Sequence, residues 1–98
     1  MNMQAMLKQA QALQKDMMKV KDEIDSTEFV GESSLVKVTL KGTKEVISVE
    51  INAPDGLEGD DIEALQDMIV VAINDANKKI DAMTEKKMGK FGNIPGLF

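Results

Sequence analysis

The 98-residue chain has no Cys, His, Trp, Tyr or Arg, and all twelve of its basic residues are Lys. Without Cys there is no disulfide framework, no thiolate metal site and no cysteine nucleophile, a pattern that fits a reducing cytoplasm. Without His the chain lacks the side chain most used for proton transfer near neutral pH and the commonest transition-metal ligand. An enzyme would have to work with Asp, Glu, Lys, Ser and Thr alone, so the composition points away from catalysis. No cofactor, metal or small-molecule substrate is expected. The longest apolar run, Met68-Ile69-Val70-Val71-Ala72-Ile73, is too short to cross a bilayer. The first residues have neither a basic n-region nor an apolar h-region, so no secretory signal is expected.

What is present describes one soluble domain spanning residues 1–98, with 43% apolar and 30% charged residues. Seventeen Asp and Glu against twelve Lys leave a net charge of −5. By itself this balance argues against nucleic acid as a partner.

Residues 3–25 read as helix one. Met3, Ala10, Met17 and Ile24 recur every seventh residue, and Met6, Leu13 and Val20 fall three after the first three, a full heptad seam with no Gly or Pro to interrupt it. Residues 27–52 read as a three-stranded antiparallel sheet, since the period there is two. A first strand around Glu28-Phe29-Val30 turns at residues 31–34. Val36, Val38 and Leu40 then alternate with Lys37, Thr39 and Lys41. A hairpin at Gly42-Thr43 pairs Val38 with Ile47 and Val36 with Val49, placing both apolar sets on one face. Residues 60–88 read as helix two, with Asp60 as N-cap, Glu63 completing a capping box, and Ile62, Leu65, Ile69, Ala72, Ile73, Ala76, Ile80 and Met83 as its stripe. Residues 89–98 form an apolar tail punctuated by Gly and Pro, read as mobile or docked on a partner.

The fold class is therefore α+β, in the order α-β-β-β-α with two long flanking helices. At about 1.5 Å per residue, helix one runs roughly 33 Å, whereas a seven-residue strand covers only about 23 Å. Both helices must overhang the sheet. Met3, Met6, Ala10, Leu13 and Met17 of helix one, with Ile80 and Met83 of helix two, are the positions expected to need cover from a second copy in a homodimer.

Two groups of polar residues have plain structural accounts. The acids Asp55, Glu58, Asp60, Asp61 and Glu63 lack the order of a calcium-binding loop and suit the positive end of a helix dipole. Gly31-Glu32-Ser33-Ser34 has no nucleophile elbow and no base to activate a serine. The lysines are distributed more tellingly. Residues 1–21 and 76–90 are net positive, while residues 55–75 hold acids and no base. Lys8, Lys15 and Lys19 share one side of helix one, and Lys79, Lys86 and Lys90 repeat that spacing on helix two, where Lys78 and Lys87 adjoin them. Charge alone favours a solvated face. If these basic segments meet in a dimer, they permit point-charge contacts to phosphates, salt-sensitive and weakly selective because no Arg is present to read base edges.

Several stretches, taken in order, match a known pattern: Met6-Leu7-Lys8-Gln9-Ala10-Gln11, Gly31-Glu32-Ser33, Leu35-Val36-Lys37-Val38-Thr39, Gly42, Val49-Glu50-Ile51, Ala72-Ile73-Asn74-Asp75-Ala76, and the ending Ile94-Pro95-Gly96-Leu97-Phe98. The chain resembles the YbaB/EbfC family of bacterial nucleoid-associated proteins across nearly its whole length. The resemblance implies an intertwined, tweezer-like homodimer with projecting helices. It also implies a cytoplasmic, nucleoid-associated protein that binds double-stranded DNA and alters its conformation, with consequences for gene expression. The phosphate contacts it implies fall on Lys8, Lys15, Lys19, Lys78, Lys79, Lys86, Lys87 and Lys90. An expectation of another class is a dimeric protein-interaction adaptor using the helix seam and the apolar tail.

Overall fold

The structure, a computed structural model, describes residues 2–91, apart from the side chain of Lys90. Helix α1 runs Met3–Ser26. Asn2 caps it by accepting from the Gln4 N–H at 3.0 Å. Thr27 ends it: its N–H returns to the Ile24 carbonyl at 3.1 Å and its hydroxyl donates to the Glu23 carbonyl at 2.6 Å. The chain then turns into an antiparallel sheet of order β1-β2-β3, with β1 Glu28–Ser33, β2 Val36–Lys41 and β3 Val46–Ile51. Helix α2 follows as Gly59–Met88, and a 3-10 turn, Gly89–Phe91, extends it.

The capping box of α2 lies two residues before the expected one. Glu58 is the N-cap, and its N–H donates to the Asp61 carboxylate at 2.9 Å. Glu58 is extended and Gly59 is already helical, so the same three-residue capping logic operates earlier than at Asp60 and Glu63.

Both turns also differ from the expectation. The β1–β2 hairpin turns at Ser34-Leu35, with Ser34 in the left-handed region at φ 48°, and Gly31 sits inside β1 opposite Val38. The β2–β3 loop takes residues 42–45: Lys44 supplies a left-handed φ of 75°, and the Lys41 N–H donates to the Glu45 carbonyl at 2.9 Å. This longer loop shifts the register by two residues. Val38 faces Val49 and Val36 faces Ile51, while Leu40 faces Val46 across a bulge that absorbs Ile47.

Gly31 is in mid-strand because α2 crosses there. A Cβ at that position would run into the Ala72 carbonyl oxygen and come within 2.6 Å of the Ala76 amide nitrogen. Ala72 and Ala76 are the small residues on the other side of this approach, and around it Phe29, Val36, Val38, Leu40 and Ile80 close the core. Gly42 does the same for α1, since a Cβ there would strike the Ile24 carbonyl. A second cluster of Met17, Ile24, Met88 and Phe91 joins the end of α1 to the end of α2.

This packing corrects part of the expected interface. Met17 and Ile80 are buried within the chain's own two clusters, and Met83 is half-buried against both. They need no second copy to cover them, because α2 runs back along β1 with Ile80 over the sheet while α1 covers its last turns. Phe91, expected in the tail, is likewise buried on Met17, Ile24 and Met88. Residues 92–98, which carry the rest of that expected tail, lie outside the described residues.

Of the positions expected to overhang, Met3, Met6 and Leu13 do stand open. Because α1 and α2 meet only near their C-terminal ends, their N-terminal halves extend from opposite ends of a rod measuring 71 × 19 × 16 Å. The radius of gyration is 19.5 Å, against about 13 Å for a compact chain of this length. Met3 is 75% exposed, and Met6, Leu7 and Leu13 are also open on α1. On α2 the open apolar positions are Ile62, Val70 and Val71, and the apolar side chains of β3 are exposed as well.

Candidate nucleic-acid interface

A helix repeats every 3.6 residues, which places Lys8, Lys15 and Lys19 on the face of α1 opposite the Met3, Met6, Ala10 and Leu13 seam. All three are exposed, as are Lys78 and Lys86 on α2. Among the described residues none of these five takes part in an ion pair. Lys21, by contrast, is held by Asp25 at 2.9 Å, and this partner raises its pKa. Lys87 reaches Glu23 at 3.9 Å, tying the two helices together, and it shares the last turn of α2 with Lys86, where cations suit the helix dipole. The structure therefore brings Lys15, Lys19, Lys86 and Lys87 to the end of the rod from which α1 projects, with Lys8 further out along the arm. Lys78 and Lys79 sit nearer the middle, over the sheet. The side chain of Lys90 lies outside the description.

Lys79 has another task. Its ammonium donates to the Val30 carbonyl at 2.6 Å and lies 3.5 Å from Asp75 one turn earlier, while Asp75 accepts from the Glu32 N–H at 3.1 Å. Both backbone groups point away from β2, so α2 fastens itself along the outer edge of β1 with this pair. Sequence reasoning placed Lys79 among the phosphate contacts and passed over Asp75. Their i, i+4 spacing was visible, but nothing in the sequence says which strand edge they reach.

The Asp75 carboxyl is held below its ordinary value, first by the Glu32 N–H and then by the charges of Lys79 and Lys78. A carboxyl depressed on folding stabilises the fold at pH above its unfolded value and loses that contribution as pH falls through the folded one. The Glu32 amide resonance is expected to titrate with a midpoint below the ordinary Asp value of 3.8, and Asp75→Asn should abolish that step. A midpoint at or above that value would show that the contact does not form.

Acidic side chains collect away from the basic end. Asp60, Asp61, Glu63 and Asp67 occupy the exposed first half of α2, at the far end from the α1 arm. Among the described residues no group of three or more His, Cys, Asp or Glu is placed to hold a metal ion, and no helix is long and apolar enough to cross a membrane. The cleft between Ile24, Ile80 and Met88 measures about 240 Å³, below the roughly 300–1,000 Å³ of ordinary small-molecule sites.

Fold and surface together define an α-β-β-β-α domain that presents a lysine-bearing helix. The YbaB/EbfC DNA-binding family matches residues 1–94, and the chain belongs to that family. Among curated proteins it is 50% identical to a nucleoid-associated protein of Lactococcus lactis subsp. cremoris, covering 93% of each chain. A nucleoid-associated protein of Streptococcus pneumoniae is 47% identical, with 97% of this chain and 98% of that one covered. One from Ligilactobacillus salivarius is 43% identical over 99% of this chain and 95% of its own. Among solved structures, an uncharacterized protein of Helicobacter pylori shares the fold at a TM-score of 0.74 and 18% identity, over 92% of this chain and 96% of that one.

Proposed function

We propose that this chain is a homodimeric, non-enzymatic protein of the bacterial nucleoid in the cytoplasm. It binds duplex DNA by its phosphate backbone with little sequence selectivity, alters the conformation of the duplex and so affects gene expression. The observation that carries this reading is the line of unpaired lysines Lys8, Lys15 and Lys19 on the free arm of α1, with Lys86 beside its base and the acids at the opposite end of the rod. Such a layout lets a protein of net charge −5 approach DNA by one end. The names of its relatives as nucleoid-associated proteins support the same reading. A second copy is supported by the elongated subunit and by the open apolar seam of α1, which an isolated chain leaves in water.

Lysine ammoniums attract phosphates without a fixed geometry, and no Arg is available for bidentate reading of guanine. Fluorescence anisotropy of labelled duplexes should therefore give similar affinities for unrelated sequences. The logarithm of the binding constant should fall with the logarithm of salt at a slope of about −3 to −6, as three to six lysines release counterions. A flat signal at low salt, or affinities that differ strongly between duplexes, would overturn the proposal.

A further inference from the structure

Residues 3–16 of α1 are exposed, and only Met17 and Ile24 of that helix are buried. The arm that carries Lys8 and Lys15 is thus held at its base alone. Gly42 lets the sheet come close to the Ile24 carbonyl there, and Lys87 reaches Glu23 at 3.9 Å. That ion pair is exposed at both ends, so it restrains the helix little. The rest of the joint is the apolar cluster of Met17, Ile24, Met88 and Phe91, edged by Val20 and Met83. Phe91 differs in kind from its neighbours. Methionine is unbranched, with three rotatable bonds, and adapts to the space it is given, so Met17, Met83 and Met88 suit several helix directions. Phe91 brings the one rigid ring, and it is buried although it lies beyond the end of α2. The 3-10 turn Gly89–Phe91 delivers it: at three residues per turn, Phe91 returns to the side of Met88. Ile24 and Met88 also line the cleft of about 240 Å³ beside Ile80, so the joint is open on one side and the ring packs it on another.

We propose that Phe91 is a positioning residue for DNA binding: its ring, packed on Met17 and Ile24, sets the direction of the α1 arm and so presents Lys8, Lys15 and Lys19 together to the phosphates. The inference rests on the DNA-binding reading above and adds to it a buried residue that carries no charge. The arm is a long lever. Lys8 precedes Ile24 by sixteen residues, roughly 24 Å at about 1.5 Å per residue. A tilt of about 15° at the base moves Lys8 by about 6 Å, more than the roughly 3.4 Å between successive phosphates of one strand along the duplex axis. An arm free to tilt that far must give up its orientational freedom on meeting the duplex, whereas an arm already held does not. A stiff wedge at the base therefore acts on affinity without touching the nucleic acid.

Residual dipolar couplings and duplex titrations on the full chain test this together. In the wild type the α1 amides should share one alignment tensor with the sheet. In Phe91→Ala, α1 is expected to keep its helical chemical shifts while its couplings fall by about a third or more relative to the sheet. Affinity for a labelled duplex should drop about tenfold, with a shallower salt slope because fewer lysines engage at once. Phe91→Met keeps the apolar bulk, and with it the fold, but not the stiffness. Its couplings and affinity should lie between those of the wild type and Phe91→Ala, at a Tm close to the wild type. Wild-type values in Phe91→Met would show that bulk rather than the ring sets the arm. Unchanged couplings in Phe91→Ala, or lowered couplings with unchanged affinity, would overturn the proposal. So would loss of the α1 helical shifts, which would make Phe91 a support of the helix rather than of its direction. If the wild type binds no duplex while the couplings respond as expected, the DNA-binding reading fails and the setting of the arm by Phe91 stands.

Discussion

Replacing Gly31 by Ala is expected to destabilise the protein by about 3 kcal/mol or more, at the upper end of what overpacking costs. The added methyl has nowhere to go. It meets backbone atoms of α2, the Ala72 carbonyl and the Ala76 amide, which cannot rotate aside as a long side chain can. Relief requires lifting α2 off β1, and that opens the contact between Ala72, Ala76 and Val38, all fully buried. For a domain of this size the loss corresponds to a fall in Tm of more than about 10 °C, followed by far-UV circular dichroism because no Trp or Tyr is present. Gly59→Ala is the matched control. A Cβ there meets nothing within 4 Å, and the change should stay within about 1 kcal/mol. Equal effects at the two positions would show that loss of backbone freedom, rather than the helix–sheet approach, sets the cost.

Reversing Lys8, Lys15 and Lys19 to Glu together is expected to weaken DNA binding by at least about a hundredfold at about 0.1 M salt, since each reversal both removes a phosphate contact and adds a repulsion. The fold should be indifferent. These side chains are exposed and none belongs to an ion pair, so the melting temperature should hold. Lys37→Glu with Lys41→Glu, on the outer face of β2, separates the site from bulk charge: it makes the protein more acidic without touching the α1 arm. This double variant should lower affinity only several-fold through the long-range field. Unchanged binding by the triple variant would remove the α1 arm from the interface. An equal loss in both would make net charge, not position, the cause.

The structure gives a different meaning to several residues that the sequence had marked. Gly31 and Gly42 read as turn glycines, because Gly most often supplies a left-handed residue between strands. Both instead allow a helix to touch the sheet, and the left-handed positions belong to Ser34 and Lys44. Lys79 read as one of a line of lysines and turned out to be fastened to Val30. In each case the residue type was informative while its partner, 18 to 49 positions away in the chain, was not.

By itself the sequence determined the order α-β-β-β-α, the extent of α1 and the apolar face of β2. These follow from periods of 3.6 and 2 and from caps acting within a few residues, all of them local effects. It also determined that charge is divided along the chain, because that is a property of position in sequence. The tertiary structure alone decided the two-residue shift in the β2–β3 register, the burial of Met17 and Ile80, and the fastening of α2 along the outer edge of β1. Those outcomes depend on how closely α2 can approach Gly31 and on where α1 meets the end of α2. Only the packed chain sets such distances between residues far apart in sequence, and they turn a divided charge pattern into a rod with a basic end and an acidic end.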